Sequence, residues 1–170
     1  MEPYNAIAVA NYFIDRAKAA SSALTPMKLQ KLIYFAHGWH IAIYGEPLIN
    51  EEMQAWDYGP VVSSVYHEFK NYGSTPIDKY ATDFDLHTLE IITPRIPLDD
   101  KRTIALIDKV GDVYEKYNGI QLSNLTHEPT SAWSIVRKSA GNAGMRSVGI
   151  PNSAIKTEFD AKKAKLKKPT

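Results

Sequence analysis

The sequence of 170 residues contains no cysteine. This absence excludes disulfide scaffolds, thiolate metal sites and cysteine nucleophiles, and it suits a reducing compartment. Long apolar runs are missing too: the longest, residues 6–10 and 32–36, have five residues each, whereas a membrane-spanning helix needs about 20. The first residues also lack a basic segment followed by a continuous apolar stretch. We therefore expect no membrane helix and no signal peptide, which is consistent with a cytoplasmic protein.

Signatures of catalysis are missing as well. The chain has no G-x-S-x-G, no P-loop, no G-x-G-x-x-G and no H-E-x-x-H, which are local signals of hydrolases, nucleotide sites and zinc proteases. His37 and His40 stand three residues apart on a predicted helix, but no carboxylate accompanies them there to complete a metal site. We interpret them as hydrogen-bonded core histidines and predict no catalytic residue, no cofactor and no metal.

Charge is balanced overall but not along the chain. The net charge is +1, yet residues 156–170 carry six lysines and two acidic residues, a net of +4, and residues 1–155 carry a net of −3. Residues 1–155, with their net negative charge, lack the broad basic surface with which proteins bind nucleic acid. We predict a folded domain over residues 1–155 and a basic C-terminal helix end or tail over residues 156–170, with nucleic acid not expected as a partner.

Apolar spacing predicts helices in the first third of the chain. Residues 6–17 show the three- and four-residue steps of an amphipathic helix, with Asn5 as its N-cap. A second helix is predicted over residues 26–44, beginning after Thr25 and ending at Gly45. This helix is apolar on nearly all sides, which is typical of a buried helix. Its first two turns are expected to be more exposed, as marked by Lys28, Gln30 and Lys31.

Shorter elements are predicted next. Two short strands, at residues 48–49 and 53–58, flank a polar turn, and Gly59 with Pro60 ends the second strand and starts a helix that continues to Tyr72. Residues 74–98 contain three prolines and no helical period. They are predicted to be extended, with at most a short strand around residues 89–93.

The last part of the chain predicts further helices. One begins at a cap on Asp99 and ends at Asn118 and Gly119. A short turn follows from Ser123, and another helix opens at Pro129. After a loop at residues 139–149, a last helix frays into the lysine tail. The predicted fold class is α+β: a single compact domain, mainly α with a small antiparallel β-hairpin, around the buried helix.

Two sets of side chains are candidates for function. His127 lies beside Glu128 between two helices, and an imidazole and a carboxylate are groups that act in acid–base catalysis. Adjacent residues on a helix point in different directions, so a capping or supporting role for His127 is the alternative. Tyrosines suit protein interfaces because they offer a large ring with a polar tip. A group of them is expected to place some members against a partner: Tyr34, Tyr44, Tyr58, Tyr66 and Tyr72.

Two separated blocks resemble a known family. The first block consists of residues 25–40 (TPMKLQKLIYFAHGWH), Pro47 with Leu48, residues 55–62 (AWDYGPVV) and Val65 with Tyr66. The second consists of residues 122–128 (LSNLTHE) with Trp133. Together they resemble the SocA-like antitoxin family, also called the Panacea domain, over residues 5–138. The resemblance implies a bacterial or prophage-borne antitoxin that binds a toxin encoded by an adjacent gene.

The family's characteristic positions divide by chemistry. Some are expected to pack or to shape a turn: Leu29, Leu32, Trp56, Gly59, Pro60, Val61 and Trp133. Others keep polar groups that are expected to contact a partner: Lys28, Lys31, Tyr34, Tyr58, Tyr66 and His127. The signature thus predicts both a fold and a candidate binding surface.

The leading hypothesis is a non-enzymatic antitoxin that neutralises its toxin by direct binding, either by covering it or by delivering it to a cellular protease. A second copy of the chain is a further candidate partner. Two other classes stay open: an enzyme that uses His127 to reverse a toxin-made modification, and a nucleic-acid-associated regulator that acts through the basic tail.

Overall fold

The computed structural model describes residues 2–141 and 148–167. Within these residues, α-helices surround one central helix. In chain order the helices are α1 (Ala6–Ala19), α2 (Pro26–Tyr44), α3 (Ser63–Phe69), α4 (Lys101–Tyr114), α5 (Gly119–Thr126), α6 (Ala132–Ala140) and α7 (Asn152–Leu166). The predicted class, mainly helical with small antiparallel sheets, is confirmed. None of the described helices is long and apolar enough to cross a membrane.

Two small antiparallel sheets accompany the helices. The first has the order β2-β1-β5 and consists of β1 (Met53–Trp56), β2 (Gly59–Val61) and β5 (Gly149–Ile150). The second pairs β3 (Asp83–Asp85) with β4 (Glu90–Ile92). The predicted hairpin therefore exists, but its strands were misplaced.

The β1–β2 hairpin turns at Asp57 and Tyr58, not at residues 50–52. Gly59 and Pro60 belong to strand β2, where they pair with Trp56 and Ala55, so the prediction that they start a helix is wrong. Strand β2 is at the edge of its sheet, where a proline without an N–H is tolerated. The helix begins later, at α3. The predicted strand at residues 48–49 is reduced to a single bridge between Ile49 and Tyr4.

Local signals place α1 and α2 as predicted. Asn5 caps α1 by accepting from the amide of Ile7, and Thr25 caps α2 by accepting from the amide of Lys28. Gly45 ends α2 with φ of +76°, a left-handed conformation that glycine adopts without strain. Helix α2 is buried along most of its length and packs against α4, α5 and α7.

The prediction that the first turns of α2 are exposed is wrong for two of three residues. Gln30 and Lys31 are buried, and Lys28 is half-buried. The hairpin covers this side of the helix: the Gln30 side chain accepts from the Val62 amide at 2.9 Å and donates to the Val62 carbonyl at 3.0 Å. Non-local packing therefore overrides the polar character of these residues.

The boundaries of the later helices also differ from prediction. Asp100 rather than Asp99 caps α4, which ends at Tyr114. Asn118 does not end that helix but begins α5, through a capping box with Gln121. A side chain that caps the next helix competes with continuation of the previous one.

The start of helix α6 needs the same correction. Ser123 lies inside α5, and Ser131 caps α6 instead of Pro129. The boundary predicted after residue 155 falls inside α7, where Phe159 is completely buried, so the basic segment begins within the folded body. Most of the loop predicted at residues 139–149 lies outside the described residues. The segment 74–98 contains two paired strands instead of one.

Candidate protein-interaction site

A surface pocket of about 290 Å³ opens between the first turns of α2, the β1–β2 hairpin and α3. Its walls are largely aromatic or aliphatic, with Trp56, Tyr58, Val61, Val65, Tyr66 and Phe69 among the lining residues. The rings of Trp56 and Tyr66 meet edge to face, with centroids 4.6 Å apart. A pocket of this composition suits an inserted apolar or aromatic side chain.

Tyr58 is the most accessible aromatic residue of the pocket. It lies in the turn of the hairpin, and 71% of its surface is exposed. Its own carbonyl oxygen accepts a hydrogen bond from the hydroxyl of Ser123 at 2.7 Å. The backbone that carries this exposed ring is therefore attached to α5.

Three further contacts hold the hairpin from the side of α6. The indole nitrogen of Trp133 donates to the carbonyl oxygen of Trp56 at 2.7 Å. The Arg137 guanidinium donates to the carbonyl oxygen of Ala55 at 3.1 Å and pairs with the Asp57 carboxylate at 3.0 Å. These bonds fix the turn before any partner arrives, which reduces the entropy lost on binding.

Lys31 supports the hairpin from below. Its ammonium nitrogen donates to the carbonyl oxygen of Pro60 at 3.0 Å, and its side chain is 1% exposed. Burial lowers the pKa of Lys31 to about 7, because a buried ammonium loses its hydration. Gly59 is required beside it: φ is +104°, and a Cβ there would lie 2.5 Å from Thr126 Oγ1 and 2.9 Å from Lys31 Cε.

His127 contacts the hairpin and its own helix. Nδ1 lies 2.5 Å from the carbonyl oxygen of Ser123, and Nε2 lies 3.3 Å from that of Asp57. A carbonyl oxygen only accepts, so Nδ1 carries a proton and donates. The ring also packs on Trp133, with centroids 3.9 Å apart. This geometry is that of a supporting residue, the alternative to acid–base catalysis.

The other residues expected to contact a partner lie at different depths. Tyr34 is completely buried and donates to Glu158 Oε2 at 2.5 Å, and burial raises its pKa well above the ordinary value. Lys28 is half-buried and donates to the carbonyl oxygen of Glu115 at 2.6 Å. The expectation that Lys31 and Tyr34 face a partner is therefore corrected: both lie beneath the surface, because the hairpin covers Lys31 and α7 covers Tyr34.

The two histidines of α2 have structural partners. His37 Nδ1 accepts from the Ile49 amide at 3.4 Å, and Nε2 donates to Asn152 Oδ1 at 2.8 Å. Burial lowers the pKa of His37 to about 4. His40 Nδ1 donates to the carbonyl oxygen of Glu46 at 2.7 Å. In residues 2–141 and 148–167, no group of three His, Cys, Asp or Glu side chains is arranged to hold a metal ion.

Sequence reasoning missed several residues that build this site. Arg137 and Ser123 were not among the predicted site residues, yet both hold the hairpin. Their position next to the second sequence block was the available signal. What the sequence did not reveal is that the two blocks meet in space.

Comparison with known proteins agrees with the two blocks. The family model described as "Antitoxin SocA-like, Panacea domain" matches residues 29–134. The match covers more than half of the chain, which therefore belongs to this family, and membership supports an antitoxin role. The Antitoxin SocA of Caulobacter vibrioides (strain NA1000 / CB15N) is 32% identical over 167 residues, covering 97% of this chain and 87% of that protein. No solved structure matches the chain.

Proposed function

We propose that this protein is a cytoplasmic antitoxin that neutralises a protein toxin, encoded by an adjacent gene, by binding it directly through the aromatic pocket. The observation that carries the proposal is the exposed ring of Tyr58, presented on a fixed turn beside the pocket walls. Aromatic anchors beside a preformed pocket supply most of the affinity in many protein complexes. The toxin is covered by this contact or delivered to a cellular protease.

The family signature supports this assignment through its geometry. Lys31, His127 and Trp133 bond to backbone oxygens of the hairpin, so the signature residues hold Tyr58 and the pocket in place. A rigid frame of this kind is compatible with different partners, because the variable surface residues around it decide which one binds. The proposed role needs no catalytic group.

No specific observation favours either alternative class, the enzyme that uses His127 or the nucleic-acid-associated regulator. His127 contacts backbone oxygens and the Trp133 ring, and the neighbouring carboxylate of Glu128 pairs with Lys162 instead. Several lysines of α7 are also occupied: Lys163 donates to the carbonyl oxygen of Ala42, and Lys156 pairs with Asp160. The Lys163 contact and the Lys162–Glu128 pair attach α7 to the body, and the Lys156–Asp160 pair lies within α7 itself.

A growth assay tests the proposal. Each gene adjacent to the one for this chain is induced in a sensitive host with the unaltered protein, with Tyr58→Ala, or with the control Leu166→Ser, which replaces an equally exposed apolar residue far along α7. We expect rescue by the unaltered chain and the control, and loss of rescue with Tyr58→Ala. A loss of affinity of about 30-fold or more is typical of a central anchor.

The melting temperature separates binding from folding in this assay. Because the Tyr58 ring is largely exposed, Tyr58→Ala should melt within a few degrees of the unaltered protein. Toxicity that the unaltered protein does not relieve would contradict the proposal. Full rescue by Tyr58→Ala would show that the toxin does not bind through the aromatic pocket.

A further inference from the structure

Strands β3 and β4 form a separate hairpin, residues 83–92, which we call the arm. Phe84 and Ile91 are paired across its strands, and Leu86 and Leu89 lie in its turn. All four side chains are at least half exposed. Soluble proteins rarely leave a cluster of large apolar side chains uncovered unless it meets a partner.

The base of the arm is fixed to the body. The Asn11 side chain accepts from the Ala81 amide at 2.8 Å and donates to the carbonyl oxygens of Ala81 and Pro94, both at 3.0 Å. Asn5 Nδ2 donates to Asp83 Oδ2 at 2.8 Å. The arm is therefore held in one direction although a two-stranded hairpin is marginally stable in water by itself.

The turn of the arm carries a strained residue. Leu89 has φ of +56°, a left-handed conformation that is uncommon outside glycine, asparagine and aspartate. Its side chain is 71% exposed, so no packing of that side chain within the fold offsets the strain. Strain of this kind is often retained where a segment serves binding.

Charge decides which kind of partner suits the arm. Residues 82–94 contain Asp83, Asp85 and Glu90 and no lysine or arginine. Two arms of separate copies would bring six carboxylates together, which opposes self-pairing. A contact between the arm and α7 of a second copy would use two different surfaces, which builds rings or open filaments rather than a simple dimer, and several lysines of α7 already have partners within the chain. A basic surface of another protein is the complementary occupant.

Helix α3 connects the arm to the aromatic pocket. On one side, Tyr66 and Phe69 line that pocket. On the other side, Glu68 accepts a hydrogen bond from the amide of Thr82, at the base of the arm, at 3.1 Å. A partner that covers the pocket and extends across this one helix reaches the arm.

We infer that the arm is a second contact of the toxin-binding surface and takes a basic, partly apolar surface of the toxin. This inference rests on the proposed function. The pocket binds an inserted side chain, whereas the arm adds apolar area from Phe84 and Ile91 and charge complementarity from its carboxylates. Charge complementarity of this kind raises association rates and selects among partners.

Binding measurements test the inference with the purified products of the two genes that flank this one as probes. We expect Phe84→Ser/Ile91→Ser to weaken the complex by about 30-fold or more without lowering the melting temperature, and Leu166→Ser to leave it unchanged. Glu90→Lys should weaken binding several-fold at low salt and less at high salt. Its control is Glu2→Lys, which makes the same charge change outside the arm.

Each outcome is decisive. A complex with the unaltered chain that tolerates both arm variants overturns the inference and leaves the proposed function intact. No complex with the unaltered chain overturns the proposed function and the inference together. A dimer of this chain that Phe84→Ser/Ile91→Ser converts to a monomer identifies a second copy as the occupant, which also overturns the inference.

Discussion

The ammonium nitrogen of Lys31 donates a hydrogen bond to the carbonyl oxygen of Pro60 at 3.0 Å. The bond joins α2 to the edge strand of the hairpin, below the turn that exposes Tyr58. No salt bridge to Lys31 occurs in the part of the chain that the structure describes. A buried lysine without a carboxylate partner is costly, so its presence under the hairpin has a measurable signature.

Lys31→Met should change how stability depends on pH. The pKa of Lys31 is about 7 in the folded protein and 10.5 for the ordinary side chain. Between these values the unfolded chain binds one more proton, so the free energy of unfolding rises with pH, by at most about 1.4 kcal/mol per pH unit. Below pH 7 the contribution of Lys31 to the free energy of unfolding is constant and unfavourable. Lys31→Met has no ionisable group at this position and therefore lacks this contribution.

Urea unfolding of both proteins at several pH values between 7 and 10 measures this difference. The unaltered protein should gain stability relative to Lys31→Met as the pH rises. Lys109→Met, which removes an exposed lysine, is the matched control and should run parallel to the unaltered protein. If the stability of Lys31→Met also runs parallel to that of the unaltered protein, the Lys31 ammonium is hydrated and burial does not lower its pKa.

Trp133→Phe should loosen the hairpin while keeping a buried ring. The substitution removes the bond from the indole nitrogen to the carbonyl oxygen of Trp56. We expect faster amide hydrogen exchange in β1 and β2 and a stability loss of about 1 kcal/mol. Trp39→Phe is the control, because it removes an equivalent bond to Tyr114 elsewhere. Equal exchange in the hairpin for both variants would contradict this role of Trp133.

His127→Ala should destabilise the protein. It removes the bond to Ser123 and the contact with the Trp133 ring, which together predict a loss of about 1–2 kcal/mol in the free energy of unfolding. Thermal melting measures it, with the exposed His67→Ala as control. Full stability combined with loss of toxin neutralisation would instead favour the enzyme hypothesis.

Gly38→Ala should be destabilising although alanine favours helices. A Cβ at this position would overlap the ring of Phe159 in α7. Overpacking of this kind costs about 1–3 kcal/mol, which exceeds the gain of up to about 1 kcal/mol in helix propensity. Unfolding experiments should show a smaller cost in a Phe159→Leu background. The same cost in both backgrounds would mean that the clash with the Phe159 ring is not its source.

Local signals predicted the parts of the fold that depend on neighbouring residues. Asn5, Thr25 and Gly45 mark the ends of α1 and α2 through hydrogen bonds or backbone conformations that involve only a few adjacent positions. The same logic failed at Asn118, where one side chain could end a helix or begin another. Its capping box with Gln121 decides for the second.

Pairing between distant residues escaped prediction. The hairpin was placed a few residues too early because apolar and polar residues alternate on both sides of residues 50–52, and register follows from contacts that sequence spacing does not reveal. The candidate site shows the same division. Tyr58 and Tyr66 were identified as partner-facing residues, a prediction that awaits the binding assay, whereas Arg137 was not connected with the hairpin at all.

By itself, the sequence determined the helical character of the protein, its central apolar helix and its membership in the SocA-like family, because these rest on local spacing and on motifs read along the chain. Only the tertiary structure decided that Lys31 and Tyr34 are buried, that His127 and Trp133 support the hairpin, and that the arm is exposed. Burial and hydrogen-bond partners depend on which surfaces meet after folding, and the same polar side chain serves a surface or an interior according to what covers it.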